Sequence, residues 1–347
     1  MGRRIVLGGT QNTLWRGSVV RPQRLAAGKD EPYARRQGSM KRKAIIIADP
    51  GIDTAFAVAL ALNDPTLEVV GLLPTAGNVT AEQATTNVHV LVDVIDPPRW
   101  PRLAAALPIR YDFDGLALHG PGGLGGVSFP CAMRHTLHPA DKMLVELVRE
   151  FPRQVTLINL GPLTTLAAAL ERDPTLPSVI QETIIVGGSW REPGNAGPVS
   201  EFHIALDPEA AHQVLQADLH PLLIPLDVTR KLILSPADLL EMPNPYSRTC
   251  QFLRQIVPYG IRASSNLYGI EGFHLKDVLG VVAAVRPDAL TTEAMPIDVE
   301  TRGQLTRGMT VIDARLHRDS RANARLATNV AVAEVRHYIQ AILRTAV

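Results

Sequence analysis

Cysteine is nearly missing from the chain: only Cys131 and Cys250 occur in 347 residues. That excludes a disulfide framework and a cysteine zinc cluster, and it fits a reducing cytosol. No stretch approaches the roughly 18 uninterrupted apolar residues that a membrane-spanning helix needs. A dominant charge is missing as well. Lys and Arg number 35 against 34 Asp and Glu, a formal net charge of +1, so electrostatics gives no reason to expect nucleic acid or a membrane surface as partner. Neither an internal repeat nor a low-complexity tract interrupts residues 43–347. What is present is a chain 46% hydrophobic and 20% charged. It is long enough to bury a sizeable core and is read as soluble and cytoplasmic.

Residues 1–43 stand apart in composition. They carry eleven Arg and Lys but only Asp30 and Glu31 as acids, scattered among Gly, Pro and Gln. Arg-rich, acid-poor leaders include organelle presequences, whereas "IVLGG" is too short for a secretory apolar region. Met40, just before "KRKAIII", is an alternative start. The expectation is a disordered or non-native extension over 1–39 and a single domain over 40–347.

From Lys43 onward, short apolar runs alternate with helical patterns. "KAIIIAD" (43–49), "LEVVGLLPT" (67–75), "QVTLINLG" (154–161), "ETIIVGG" (182–188) and "HPLLIPLD" (220–227) read as buried strands of a parallel sheet. Helices are expected near 53–63, after Thr80 with Gln83 completing a capping box, over 140–151, and near 163–171 and 208–216. This alternation means α/β, with binding residues at the carboxyl ends of the strands. "GPGGLG" (120–125) satisfies G-x-G-x-x-G but lacks the strand before and the helix after that a dinucleotide loop requires, so it is set aside.

The strand ends carry the chemistry. "ADPGIDTA" (48–55) turns from a strand into a helix and offers Asp49 and Asp53. Asn78 ends the second strand in "TAGNV". "NLGPLTTLA" (159–167) is another strand-to-helix turn. "GNAGPVSEFHIALDPEAA" (194–211) supplies Asn195, Glu201 and His203. "GFHLKDVLG" (272–280) sets Lys276 and Asp277 before an apolar helix. Simpler readings exist for each. Asp49 and Asp53 suit a helix N-terminus, Asn78 and Asn195 suit turns beside glycine, Lys276 suits a solvated surface, and His203 and His119 suit packing or loop structure. His89, on a helix, reads as packing.

Taken together, in this order, the segments resemble the inosine–uridine-preferring nucleoside hydrolases over roughly 43–345. The resemblance implies the nucleoside hydrolase fold, one α/β domain with a mixed, mainly parallel sheet flanked by helices around a Rossmann-like core. It implies hydrolysis of the N-glycosidic bond of a nucleoside or related ribosyl compound, in purine and pyrimidine salvage, by a homodimer or homotetramer. It also implies a Ca²⁺ ion that chelates the ribose diol and the attacking water. Carried over residue by residue, Asp49 is metal ligand and general base. Thr54, the Leu160 carbonyl and Asp277 complete the metal site. Asp53, Asn78, Asn195, Glu201, His203 and His119 face the sugar, and Lys276 lies by the leaving base.

The pattern also departs from the family's D-P-G-x-D-D-A. Thr54 stands where a calcium-ligating acid is expected, His203 replaces an asparagine, Lys276 replaces a histidine, and Ile47 replaces an acid. The exchange at 54 removes one negative charge, and Lys276 adds a positive one. The expectation is calcium affinity lowered by orders of magnitude, with Lys276 partly standing in as counter-ion to Asp49 and Asp277. A ribosyl-binding homologue without catalysis is therefore the rival reading. A third is an enzyme for another diol or glycoside, with a pocket reshaped by His203 and the loop 96–115.

Overall fold

The computed structural model describes residues 41–109, 114–131, 138–315 and 321–346. The expectation for 1–39, and part of the loop 96–115, lie outside the described residues. Eight strands form the central sheet: β1 (Arg42–Ala48), β2 (Leu67–Pro74), β3 (Arg102–Leu103), β4 (Val155–Leu160), β5 (Glu182–Val186), β6 (Leu222–Ile224), β7 (Leu290–Met295) and β8 (Ala324–Val330). Their order is β3-β2-β1-β4-β5-β6-β8-β7. All neighbours run parallel except β7, which pairs antiparallel with β8 at one edge. The expected α/β class with a mixed, mainly parallel sheet is what the chain adopts.

The apolar runs are explained by burial on both faces. In β1, Ala44, Ile46 and Ala48 enter one hydrophobic cluster while Ile45 and Ile47 enter another. Each strand therefore needs apolar side chains at every position, not at alternate ones. Helices α1 (Ile52–Asn63), α2 (Ala81–Ile95), α7 (Arg248–Tyr268), α8 (Val278–Val285) and α9 (Val332–Thr345) cover the first face. Helices α3 (Ala140–Glu150), α4 (Thr164–Arg172) and α6 (Pro208–Gln216) cover the second, and a short helix α5 (Phe202–Leu206) precedes α6.

Two expectations need correction. The capping box at α2 is half formed. Thr80 Oγ1 accepts from the Gln83 backbone N–H at 3.3 Å, but the Gln83 amide turns forward and donates to Asn87 at 2.9 Å. The strand expected over 220–227 is shorter, because Leu226–Thr229 already forms a helical turn. The loop "GPGGLG" forms a short 3-10 turn at Pro121–Gly123 with no strand before it. Among the described residues no helix is long and apolar enough to cross a membrane.

Candidate active site

Asp49 follows the last residue of β1 and is fully buried. Asn78, beyond the end of β2, grips it twice. Its backbone N–H donates to Asp49 Oδ2 at 3.1 Å, and its side-chain amide donates to the Asp49 carbonyl at 2.9 Å. Leu160 pairs in register with Ala48, so the end of β4 lies beside the same carboxylate. The glycines there are required by space. A methyl group on Gly77 would overlap the Asp49 carboxylate, and one on Gly161 would stand 3.1 Å from Asp49 Cβ.

Thr54, on the first turn of α1, is completely buried. Its hydroxyl donates to Asp277 Oδ2 at 2.6 Å, and Asp49 Oδ1 is 3.5 Å away. A hydroxyl has one proton, so the short contact receives it. Asp277 precedes α8 and keeps Oδ1 buried without a hydrogen bond among the described residues. Burial and the Asp53 charge raise its pKa well above the usual carboxylate value.

Asp53 is 2% exposed and faces two potential cations. Lys276 Nζ lies 4.0 Å from Oδ2, and His119 Nδ1 lies 3.8 Å from Oδ1. The histidine contact is not an ion pair. His119 Nδ1 accepts the Ile52 backbone N–H at 3.0 Å, so that nitrogen carries no proton. Burial lowers the His119 pKa to about 4 against the pull of Asp53, in keeping with a neutral ring. His119 thus orients the start of α1. Lys276 is held protonated: burial opposes its charge, but Asp53, Glu201 and Asp277 outweigh burial and raise its pKa.

Glu201 caps α5. Its Oε2 accepts from the backbone N–H groups of His203, Ile204 and Gly188 at 3.0, 3.3 and 3.2 Å, while Oε1 lies 3.8 Å from His203 Nδ1. His203, one residue into that helix, aims Nδ1 at the Val186 carbonyl, 3.2 Å away, and Nε2 at Asp49 Oδ2, 3.4 Å away. Burial works against a charged His203, yet Asp49 and Glu201 raise its pKa to about 10. Asp49 is itself pushed up by burial, with His203 pulling it down. One proton is shared by the pair, and we place it on His203, whose Nδ1–H is already committed to a carbonyl.

Of the expected site residues, the structure brings together Asp49, Asp53, Thr54, Asn78, His119, Leu160, Glu201, His203, Lys276 and Asp277. Asn195 is engaged differently: its Oδ1 accepts the Phe202 backbone N–H at 2.8 Å, which supports the turn leading into α5. Of the two acids expected to face Lys276, Asp277 does act on it, but its nearest carboxylate is Asp53, and the ring beside Asp49 is that of His203. Sequence reasoning passed over His274. Its Nδ1 is buried without a hydrogen bond among the described residues, and burial together with the nearby Lys276 and Arg230 lowers its pKa to about 4. Its spacing of two from Lys276 was the available signal.

A calcium ion needs six to eight oxygen ligands at about 2.3–2.6 Å. The side chains here do not fit one. Thr54 offers a neutral hydroxyl oxygen in place of a charged one, and His203 directs a ring nitrogen at Asp49 Oδ2, 3.4 Å away. Among the described residues no three Asp, Glu, His or Cys side chains are arranged to hold a metal ion.

The inosine-uridine preferring nucleoside hydrolase family model matches residues 44–337. Uridine nucleosidase 1 of Arabidopsis thaliana is 35% identical, covering 81% of this chain and 84% of its own. The inosine-uridine preferring nucleoside hydrolase of Leishmania major is 30% identical, covering 84% of this chain and 94% of its own. Among solved structures, the purine-preferring ribonucleoside hydrolase from Gardnerella vaginalis superposes with a TM-score of 0.82 at 26% identity, covering 88% of this chain and 99% of that one.

Proposed function

Because the chain belongs to the inosine-uridine preferring nucleoside hydrolase family, we propose that it hydrolyses the N-glycosidic bond of a ribonucleoside, releasing ribose and free base. The observation that carries this reading is the convergence of Asp49, Asp53 and Asp277 on one buried cluster at the strand ends, gripped by Asn78 and capped by Glu201.

Cleavage of a ribosyl bond builds positive charge on the sugar ring, and carboxylates fixed in a dry site stabilise that charge without reorganising. Asp53 and Glu201 supply it in this reading. Asp49 takes the proton of the attacking water. Lys276, whose side chain is 15% exposed, stands at the solvent side and offsets negative charge on the departing base. Its raised pKa makes it an electrostatic aid and a poor proton donor at neutral pH. The calcium implied by the resemblance enters no step, since its ligand set is incomplete.

The test is ribose release from a panel of purine and pyrimidine ribonucleosides, followed with a reducing-sugar assay and chromatography of the free base. Asp49→Asn is expected to lower kcat/KM by roughly 10²- to 10⁴-fold with an unchanged far-ultraviolet spectrum. No ribose from any nucleoside at millimolar concentration refutes the hydrolytic reading. One observation favours a second reading, a ribosyl-binding homologue without catalysis: His203 engages the carboxylate that must act as base. Calorimetric nucleoside binding with no base release is its signature. A cytoplasmic homodimer or homotetramer completes the proposal, and light scattering after size-exclusion chromatography checks the assembly.

A further inference from the structure

We propose that the site holds the vicinal diol of its ribosyl ligand without a divalent cation, His203 standing beside Asp49 where the metal would be and Lys276 balancing Asp53. The inference rests on the reading of this cluster as a ribosyl site, but not on its being catalytic.

The contacts of His203 set its ring against the carboxylate that a metal would need. His203 Nδ1 faces the Val186 carbonyl at 3.2 Å, and a carbonyl only accepts, so Nδ1 carries a proton. Nε2 faces Asp49 Oδ2 at 3.4 Å, and that oxygen already accepts the Asn78 backbone N–H. The imidazole thus stands in the approach to Asp49 Oδ2, an oxygen that a calcium ion would need free at about 2.3–2.6 Å.

The remaining ligands are compromised in the same direction. Thr54 contributes a neutral oxygen whose proton points at Asp277 Oδ2, 2.6 Å away. That neutral oxygen brings no negative charge to an ion, where an acid would bring one. Lys276 Nζ, 4.0 Å from Asp53 Oδ2, adds a second positive charge within the cluster. Two cations and one hydroxyl thus occupy the roles that one divalent ion and one more acid would fill.

The arrangement still suits a diol. Each hydroxyl of a vicinal diol both donates and accepts. Here the acceptors are Asp49, Asp53 and Asp277, whose Oδ1 has no hydrogen bond among the described residues, and the donors are His203 and Lys276. The 3.4 and 4.0 Å separations exceed full hydrogen-bond lengths, so neither cation is locked against its carboxylate.

The experiment uses the full chain after chelator treatment and dialysis. Calcium chloride is titrated calorimetrically to millimolar concentration, and thermal unfolding is recorded with D-ribose in excess EDTA and in calcium. The proposal expects no calcium heat and the same ribose-induced rise in Tm in both buffers. It also expects the double variant T54D/H203N to bind calcium about a hundredfold more tightly than the parent. Micromolar calcium binding by the parent, or a ribose effect that EDTA abolishes, overturns it. So does the lack of any ribose effect in both buffers. If the double variant does not fold, the parent titration decides alone. Metal-independent ribose binding without turnover of any nucleoside supports this proposal while refuting the hydrolytic one.

Discussion

Replacing Thr54 with valine isolates the hydrogen bond on which Asp277 depends. Valine has nearly the same shape, and Thr54 is fully buried, so the change opens no cavity and removes only the hydroxyl. That hydroxyl donates to Asp277 Oδ2 at 2.6 Å, a short contact to a carboxylate whose other oxygen has no hydrogen bond among the described residues. Hydrogen bonds to charged groups contribute about 1.5–3 kcal/mol, and a buried acceptor left unpaired incurs its desolvation cost in full. Burial and Asp53 already push the Asp277 pKa up, and losing the donor pushes it further, so part of the cost is relieved as the group takes up a proton. The expected loss is therefore about 2 kcal/mol at pH 8 and smaller at pH 5. In a domain of this size that is a drop in Tm of roughly 3 °C. Urea unfolding of T54V and T54S at both pH values, in EDTA, measures it. T54S keeps the hydroxyl and should stay within about 1 kcal/mol of the parent. If T54V matches the parent while T54S is the weaker protein, the methyl group matters and the hydroxyl does not, and the reasoning fails.

Three further outcomes follow from the same geometry. His119 has its pKa lowered to about 4 from 6.5, so between those values the unfolded chain binds more protons than the folded one. Stability should fall by about 3 kcal/mol as pH drops through that window, and His119→Asn should flatten the slope of urea midpoint against pH. His203 acts in the opposite sense: its pKa is raised to about 10, so its contribution is complete below pH 6.5 and is lost as pH rises toward 10. A stability curve still climbing at pH 9 contradicts this. Gly77→Ala forces a methyl group into the Asp49 carboxylate, an overpacking that typically costs about 1–3 kcal/mol. Its crystal structure should show the carboxylate displaced from Asn78, and an undisturbed Asp49 there refutes the packing argument.

The central strands were legible because burial on both faces leaves a continuous apolar run, as in "KAIIIA", that no surface segment imitates. β7 and β8 were not. "LTTEAM" and "ARLATNV" mix polar residues into positions toward the edge, where exposure relaxes the demand for apolar side chains. The long helix α7 was hidden for another reason. Pro258 lies inside it, and a proline in a helical pattern is ordinarily read as its end. The capping residue Thr80 could be read from sequence, but the partner of Gln83 could not, because the competing Asn87 is one turn further on and equally polar.

The site divides along the same line. Which residues gather could be read, since each motif sits at a strand end and parallel strands bring their carboxyl ends to one edge. Which charges face each other could not, because that is set by side-chain direction within a few ångström. Lys276 and His203 are both cations near three carboxylates, and the sequence offers no rule that assigns one to each. The backbone decides it. β5 and the turn into α5 carry His203 over the Asp49 end of the cluster, with Glu201 fixed by three backbone N–H groups just before it. Lys276 comes from the opposite side, next to Asp277 ahead of α8, and reaches Asp53 first. The substitutions at 54, 203 and 276 are far apart in the chain yet meet in one volume, and their effects on charge have the same sign. Losing an acid at 54 weakens the hold on a divalent ion, and without that ion Asp49 and Asp53 would be buried with too little positive charge to balance them. The two cations restore the balance where it is needed, so the three positions form one electrostatic unit: in EDTA, reverting all three should destabilise the protein more than reverting any one, and calcium should recover the stability of the triple variant, as urea unfolding in both buffers measures.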